Sequence, residues 1–155
     1  MAWCNAANVL STLGRHEEAI RFGEKALALA PNDTTTWNNQ GNAHHALGRY
    51  EEAVACYEKA LAGDKQDSRA WYNKGGSLRA LGHHSEAIKA YANALKINPR
   101  SASALYSKAE SEYALKRWRD SEASYRAFVE LNASEFANLL SRVRERLIEL
   151  QSRAL

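Results

Sequence analysis

Hydrophobic and small residues recur along the chain with a period of 34 residues. Trp3, Trp37 and Trp71 are 34 residues apart, and the residues around them repeat in the same phase. The equivalent sets are Leu13, Leu47 and Leu81; Gly14, Gly48 and Gly82; Ala19, Ala53 and Ala87; Ala26, Ala60 and Ala94; and Leu27, Leu61 and Leu95. A fixed period of this length indicates a tandem array of supersecondary units, whose function lies on the surface rather than in one buried pocket.

Each unit is predicted to be a helical hairpin. In the second unit, residues 37–47 and 51–61 suit helices, and Gly48 between them supplies a break where a positive φ is tolerated. Gly41 and Ala53 are small enough to let the two helices approach closely. Because one hairpin cannot bury both of its apolar faces, successive hairpins must stack on one another.

The repeated unit resembles the tetratricopeptide repeat (TPR) family, whose 34-residue pattern runs Trp, Leu-Gly, Tyr, Ala, Phe or Tyr, Ala and Pro. The third unit matches this pattern at Trp71, Gly75, Leu78, Ala87, Tyr91, Ala94 and Pro99. The resemblance implies an all-α fold, a right-handed α-solenoid of antiparallel helix hairpins. We predict hairpins at about 1–33, 34–67, 68–101 and 102–133 within a single elongated domain.

The C-terminal part of the chain departs from the repeat. In the fourth unit, Lys116 occupies the turn-glycine position, Ser121 replaces alanine, and Phe128 stands where alanine is expected. Over 134–155 the period gives way to one apolar stripe, formed by Phe136, Leu139, Leu140, Val143, Leu147 and Leu150. We predict a capping helix there that covers the end of the stack. Binding of this helix to a membrane or a partner is the less favoured alternative, because its polar face carries both charge signs.

The N-terminal end shows no comparable cap, because the chain reaches the tryptophan position at Trp3. This suggests a fragment of a longer protein, whose first hairpin packs on a preceding repeat. It also leaves open that the first hairpin stacks against another copy of the chain.

Composition and charge narrow the possible functions. With 45% hydrophobic and 25% charged residues, no apolar run near the membrane-spanning length and no signal-peptide layout, the chain is expected to be a cytoplasmic helical domain. Residues 1–67 hold six basic and nine acidic side chains, and residues 68–155 hold fifteen and nine. The basic half can attract an acidic partner, but its cations are interspersed with glutamates, so neither nucleic acid nor a membrane is an expected partner.

Motifs that carry catalysis are not found. The chain has no glycine-rich phosphate loop and no His-Glu-x-x-His pair. The adjacent His44 and His45 point in different directions on a helix, so they cannot bind one metal from the same side, although a site shared between repeats stays open. Cys4 and Cys56 lack metal or redox spacing and are expected to be unpaired thiols. We expect no enzyme activity, no metal and no cofactor.

Asparagines recur where a groove is expected. In TPR proteins the first helix of each hairpin lines the inside of the superhelix, and the residues two before and one, two and five after the tryptophan tend to face inward. The second residue after each tryptophan is Asn5, Asn39 and Asn73, and the fifth is Asn8 and Asn42. A side-chain amide both donates and accepts, so such a ladder can hold the backbone of an extended peptide. Duplication of one ancestral repeat would produce the same recurrence.

The predicted groove is completed by Thr35, Asn38, His45, Arg69, Tyr72, Arg79, Tyr106, Glu110 and Tyr113.

The predicted function follows from this surface. TPR co-chaperones that bind acidic C-terminal tails use a clamp of lysine, arginine and asparagine; the matching positions here are Cys4, Asn8, Asn39, Arg69 and Asn73, which lack two cations. A terminal carboxylate is therefore expected to bind weakly. We predict a non-catalytic protein-interaction scaffold that binds an extended peptide or helical segment of a partner in its groove. The alternatives are a structural segment that self-assembles through its first hairpin, and an accessory region of a larger enzyme.

Overall fold

The computed structural model describes residues 2–131 and 137–153, and within this part the chain forms nine helices and no strand. The helices are α1 (Ala2–Thr12), α2 (His16–Leu29), α3 (Thr34–Ala46), α4 (Tyr50–Gly63), α5 (Ser68–Ala80), α6 (His84–Ile97), α7 (Ala102–Ala114), α8 (Trp118–Glu130) and α9 (Ala137–Arg153). Helices adjacent in sequence pack together, and the first helices of successive hairpins, α1, α3, α5 and α7, also contact one another. The predicted all-α solenoid of antiparallel hairpins is confirmed. The helices predicted at 37–47 and 51–61 begin slightly earlier, at Thr34 and Tyr50.

The first helices of hairpins two, three and four begin at equivalent caps. Asp33, Asp67 and Ser101 are 34 residues apart and precede α3, α5 and α7. Each side chain accepts a hydrogen bond from a backbone N–H of the first helical turn, for example Arg69 N to Asp67 at 2.9 Å. Caps of this kind satisfy amides that have no partner within the helix. The first helices of hairpins two, three and four therefore start in the same way.

The repeated tryptophans tie each first helix to the loop before it. The indole N–H of Trp37 donates to the carbonyl oxygen of Pro31 at 2.7 Å, and that of Trp71 donates to Lys65 O at 3.0 Å. The ammonium group of Lys59 lies 4.6 Å from the centre of the Trp37 ring. Trp37 and Trp71 thus tie the second and third hairpins to the loops that precede them.

The turns within the hairpins require a left-handed backbone. Gly14, Gly48 and Gly82 have φ between 74° and 79°, a region that glycine enters without steric cost. The fourth turn places Lys116 at the same point with φ 58°. A side chain with a Cβ is strained in this region. The fourth hairpin therefore keeps the turn geometry of the others with a less suitable residue.

Each hairpin except the first is closed by a buried tyrosine against a small residue. Tyr57 and Tyr91 are almost fully buried, and a Cβ added to Gly41 would lie 2.5 Å from the Tyr57 ring. The first hairpin has Gly23 at the tyrosine position. There the side chain of Gln40 reaches in from the second hairpin and donates from Nε2 to the carbonyl oxygen of Ile20 at 3.0 Å. A neighbouring repeat thus replaces the missing ring.

The C-terminal helix covers the end of the stack as predicted. One hydrophobic cluster joins α7, α8 and α9, with Tyr125, Phe128, Val143 and Leu150 each about 1% exposed. Leu139, Leu140 and Leu147 pack against this cluster from the predicted stripe. The predicted contribution of Phe136 falls outside the described residues. The capping role of α9 therefore rests on the part of the stripe between Leu139 and Leu150.

Candidate functional site

Side-chain amides link neighbouring hairpins on the face formed by the first helices. Asn42 on α3 accepts two hydrogen bonds at Oδ1, one from the Tyr57 hydroxyl at 2.8 Å and one from Nδ2 of Asn73 at 2.9 Å. Asn73 lies on α5, one repeat further along. Two of the predicted ladder residues are thus brought together. Their mutual hydrogen bond also means that part of the ladder satisfies itself.

A polar cavity of about 400 Å³ lies between hairpins two, three and four. We call it the Gly76 cavity, because the missing side chain of Gly76 opens it. A Cβ added at Gly76 would have one neighbour within 4 Å, His45 Cε1 at 3.9 Å. The cavity is lined by Asn42, His45, Tyr50, Tyr57, Tyr72, Asn73, Gly76, Arg79, Ala80, Tyr91 and Ser107. Five of the predicted groove residues therefore share one cavity: Asn42, His45, Tyr72, Asn73 and Arg79.

The hydroxyl group of Tyr91 is part of this cavity. Burial raises the pKa of Tyr91, and the nearby side chains of Arg79 and Ser107 act on the phenol in the opposite direction. Because the raised pKa keeps the phenol protonated, Tyr91 offers an O–H donor at neutral pH. The ring of Tyr72 lies against Tyr91 with 5.8 Å between centroids. The cavity thus combines an aromatic wall with several donors.

His45 also lines the cavity. Its Nδ1 lies 2.8 Å from the hydroxyl oxygen of Ser77. Its ring packs edge-on against the Tyr50 ring, with 5.1 Å between the two centroids. Burial, and secondarily the charge of Arg79, lower the pKa of His45. The imidazole is therefore neutral at pH 7. Arg79 is consequently the cation that lines this cavity.

The C-terminal end of the predicted groove is partly occupied by α9. The Tyr113 hydroxyl donates to Glu149 Oε1 at 2.6 Å, and the guanidinium of Arg146 stacks 3.9 Å from the Tyr113 ring centre. This corrects the prediction for Tyr113, whose polar end is bound by the capping helix rather than left for a ligand. The cause is the docking of α9, which the repeat pattern does not describe.

Tyr106 and Glu110 are also engaged within the chain. The Tyr106 ring packs against Tyr125 at 6.2 Å and Phe128 at 5.7 Å between centroids. The Tyr125 hydroxyl donates to the carboxylate of Glu110. The charges of Arg79, Arg142 and Arg146 act on Tyr106 together with that of Glu110. Both charge signs therefore act on this end of the surface.

The remaining predicted residues lie elsewhere. Asn5 and Thr35 border a separate depression of about 330 Å³ beside Trp3, and Asn39 borders a cavity of about 10 Å³ between the first two hairpins. Asn8 and Arg69 are exposed. Asn38 does not lie open on the groove as expected, because it is only 8% exposed and its amide oxygen is buried. Asn38 occupies the repeat position of Tyr72, and the smaller side chain lies deeper.

Six residues of the cavity were not predicted: Tyr50, Tyr57, Gly76, Ala80, Tyr91 and Ser107. For Tyr57, Gly76 and Tyr91 a signal is present in the sequence. Tyr57 and Tyr125 donate to residues 15 positions earlier, Asn42 and Glu110, and the same spacing from Tyr91 leads to Gly76. This spacing identifies the tyrosines as groove residues only when it is also known that their hydroxyl groups reach the first helix.

A second surface lies at the N-terminal end of the stack. Val9 and Leu13 on or beside α1 are 55% and 65% exposed, and Trp3 is 39% exposed. Val9 and Leu13 border a depression of about 540 Å³ together with Ala6, Leu10 and Phe22. We call these five residues the N-terminal apolar face. Exposed apolar patches of this kind mark sites of protein contact.

A metal centre is not found in the described residues. No group of three or more His, Cys, Asp and Glu side chains in 2–131 and 137–153 could hold a metal ion. Cys4 and Cys56 are free, and burial raises the pKa of Cys56 to about 11, so its thiol is not a reactive thiolate. Among the helices described, none has the length and apolar character to cross a membrane.

Stacked helical hairpins with a polar cavity on the face of their first helices define an α-solenoid. Tetratricopeptide repeat family models match the chain over residues 1–66, and over 38–102 and 74–136. The chain therefore belongs to the tetratricopeptide repeat family, and its fold is that of a protein-interaction scaffold. No curated protein matches the chain with significance.

Solved structures share the fold at low sequence identity. A MamA protein (residues 41 to the end) from Desulfovibrio magneticus RS-1 is 21% identical with a TM-score of 0.86, and covers 99% of this chain and 84% of that one. Another MamA structure is 17% identical with a TM-score of 0.82, covering 98% and 91% of the two chains. YrrB, described as "a TPR protein with an unusual peptide-binding site", is 24% identical with a TM-score of 0.79, covering 99% and 84%.

Proposed function

We propose that this chain is a non-catalytic scaffold that binds an extended segment of a partner protein across the Gly76 cavity. The observation that carries the proposal is the convergence of polar and aromatic side chains from three consecutive hairpins on one open cavity. Aromatic walls give contact area, and amides and hydroxyls give hydrogen bonds to a peptide backbone. YrrB, which shares the fold, is described as binding a peptide.

The energetics favour several weak contacts over one strong contact. A single hydrogen bond from an amide contributes about 1 kcal/mol, so a segment must engage more than one hairpin to bind usefully. Asn42, Asn73 and Ser107 lie on the first helices of hairpins two, three and four. An extended peptide is long enough to contact all three, because each of its residues spans about 3.3 Å.

The test begins with the double substitution Asn42→Ala and Asn73→Ala. Partners are recovered from the cell of origin with the wild-type chain and the variant, and the purified partner is then titrated against each. We expect loss of both amides to weaken binding about tenfold or more, since two hydrogen bonds of about 1 kcal/mol are removed.

The matched control replaces two exposed polar residues on second helices, Glu51→Ala and Lys89→Ala. This variant should bind as the wild type does. A second pair, Asn5→Ala and Asn39→Ala, asks whether the groove extends to the first hairpin. Equal recovery with all variants, each folded by circular dichroism, would show that the amides are inherited background and would remove the proposal.

A second candidate function is self-association through the N-terminal apolar face. The exposure of Val9 and Leu13 supports it, because burial of such side chains against a second copy is favourable. The test is sedimentation velocity at several concentrations, with Leu13→Glu as the variant and the exposed Leu29→Glu as the control. Oligomers that grow with concentration and disappear only with Leu13→Glu are expected; a monomer at every concentration argues against this candidate.

A further inference from the structure

The tyrosine hydroxyls on the first-helix face follow one rule in hairpins two and four. Tyr57 donates to Asn42, and Tyr125 donates to Glu110; each acceptor oxygen lies on the first helix, 15 residues before the tyrosine. In the fourth hairpin this acceptor is a carboxylate. The fourth hairpin thus shows that a carboxylate can accept the hydrogen bond of the tyrosine at this position.

The third hairpin lacks the corresponding acceptor. The residue 15 positions before Tyr91 is Gly76, which has no side chain, and the Gly76 cavity occupies the space. Tyr91 remains a donor, and Arg79 and Ser107 interact with its hydroxyl. The third hairpin therefore lacks the acceptor side chain that the second and fourth hairpins supply from their own first helix.

The charge around the cavity favours an anion. None of the residues lining it is acidic, and the guanidinium of Arg79 has no carboxylate partner among the described residues. The neighbouring Tyr106, outside the cavity, is acted on by both Glu110 and arginines, so the charge that faces the cavity itself is that of Arg79. A carboxylate placed beside Tyr91 and Arg79 would form charge-assisted hydrogen bonds, which are the stronger kind.

We propose that the Gly76 cavity binds the carboxylate of an aspartate or glutamate side chain of the partner segment, in the place that the Glu110 carboxylate takes beside Tyr125. Tyr91, Arg79 and Ser107 are its donors, and Gly76 provides the space. This inference rests on the proposed function, because it assigns a preferred side chain to the segment that the groove holds. It differs from a terminal-carboxylate clamp, since the acidic group belongs to a side chain.

An intramolecular test supplies the carboxylate from the chain. Gly76→Glu should fill the cavity and pair with Tyr91, as Glu110 pairs with Tyr125. Relative to Gly76→Ala, which has similar helix propensity, we expect its melting temperature to rise by about 3–12 °C, as for one hydrogen bond to a charged group in a chain of this size. In a Tyr91→Phe background this difference should disappear. An equal melting temperature for the two substitutions, or a rise that survives Tyr91→Phe, contradicts the geometry proposed.

The binding test uses a library of random 12-residue peptides displayed through their C-termini, so that every carboxylate available is a side chain. Peptides are selected on the wild-type chain and on the Gly76→Glu variant. We expect one strongly acidic position in the wild-type selection and its loss with the variant, with about tenfold weaker binding of the wild-type peptides. The control is Ala55→Glu, which adds the same charge at an exposed position of α4 outside the cavity and should preserve the preference.

The outcomes separate the inference from the proposed function. Peptides that depend on Asn42 and Asn73 but show no acidic position overturn the inference and leave the scaffold function standing. An acidic preference unchanged by Gly76→Glu also overturns the inference. Failure to select any peptide that depends on Asn42 and Asn73 removes both.

Discussion

Asn73 donates from its side-chain amide to Asn42 across 2.9 Å, so that an amide of the third hairpin binds an amide of the second. Asn42 Oδ1 already accepts from the Tyr57 hydroxyl, which makes this oxygen the meeting point of three helices. The recurring asparagines thus join neighbouring hairpins, in addition to the ligand binding proposed for them. These two uses can be separated by measurement.

The first prediction concerns stability. Asn73→Ala should lower the free energy of unfolding by about 1 kcal/mol, because one hydrogen bond between repeats is lost. Asn5→Ala, at the equivalent position of the first hairpin, should change it by no more than a few tenths, because Asn5 is exposed. Chemical denaturation followed by circular dichroism measures both. Equal losses for the two variants would contradict the role given to the pair.

The second prediction compares adjacent glycines on α5. A Cβ at Gly75 would lie 2.6 Å from the Tyr91 ring, whereas at Gly76 the nearest atom is 3.9 Å away. Gly75→Ala should therefore destabilise the chain by about 1–3 kcal/mol through overpacking. Gly76→Ala should stabilise it by about 0.5–1 kcal/mol, because alanine is the better helix former.

Thermal and denaturant unfolding of Gly75→Ala and Gly76→Ala measure the two predicted changes in stability. Both substitutions add the same methyl group to the same helix, so each serves as the control for the other. A loss of stability at Gly76 comparable with that at Gly75 would mean that the cavity is smaller than described.

The third prediction concerns the turn of the fourth hairpin. Lys116 has φ 58°, where the other hairpins have glycine. Lys116→Gly should stabilise the chain by about 1 kcal/mol, because the strain of a Cβ in the left-handed region is removed. Lys116→Ala removes the charge and keeps the Cβ, so it should not stabilise. A gain with alanine equal to that with glycine would point to charge rather than strain.

The fourth prediction concerns pH and the capping helix. Hydrogen bonds from Tyr113 first, and then from Arg146 and Arg153, lower the pKa of Glu149 from 4.5 to about 2. Because the folded-state pKa is the lower one, this stabilisation is complete above about pH 4.5 and is lost as the pH falls toward 2. Between pH 5 and pH 3 the wild type should lose more unfolding free energy than Glu149→Gln.

The control for this comparison is Glu145→Gln, which replaces an exposed carboxylate on the same helix. Its loss of stability between pH 5 and pH 3 should match that of the wild type. If Glu149→Gln follows the wild type as closely, the contacts between Tyr113 and α9 do not hold the carboxylate in its charged form.

Much of the fold could be predicted from residue spacing. The 34-residue period located the hairpins, and the phase of Lys116 with Gly48 and Gly82 identified the fourth turn before its φ was known. These features follow from local requirements: a glycine or a strained residue in each turn, small residues where helices meet, and an apolar face on every helix. Local requirements that repeat in space also repeat in sequence.

The candidate site was predicted only in part, and the errors have physical causes. The period placed Asn42, His45, Tyr72, Asn73 and Arg79 on one face, and the structure brings them to one cavity. It did not distinguish Asn38 from Tyr72, although the shorter side chain is buried and the longer one reaches the cavity. Repeat position defines direction, while depth depends on side-chain length and on neighbouring hairpins.

By itself, the sequence determined that the chain is a stack of helical hairpins and which positions share a face, because both depend on spacing along a regular backbone. Only the tertiary structure decided that Glu149 on α9 binds the Tyr113 hydroxyl and that Gln40 fills the space of the ring missing at Gly23. It also decided that Gly76 leaves Tyr91 beside an open cavity. These relationships join side chains from different hairpins, and their outcome depends on the volume that three or more helices leave between them.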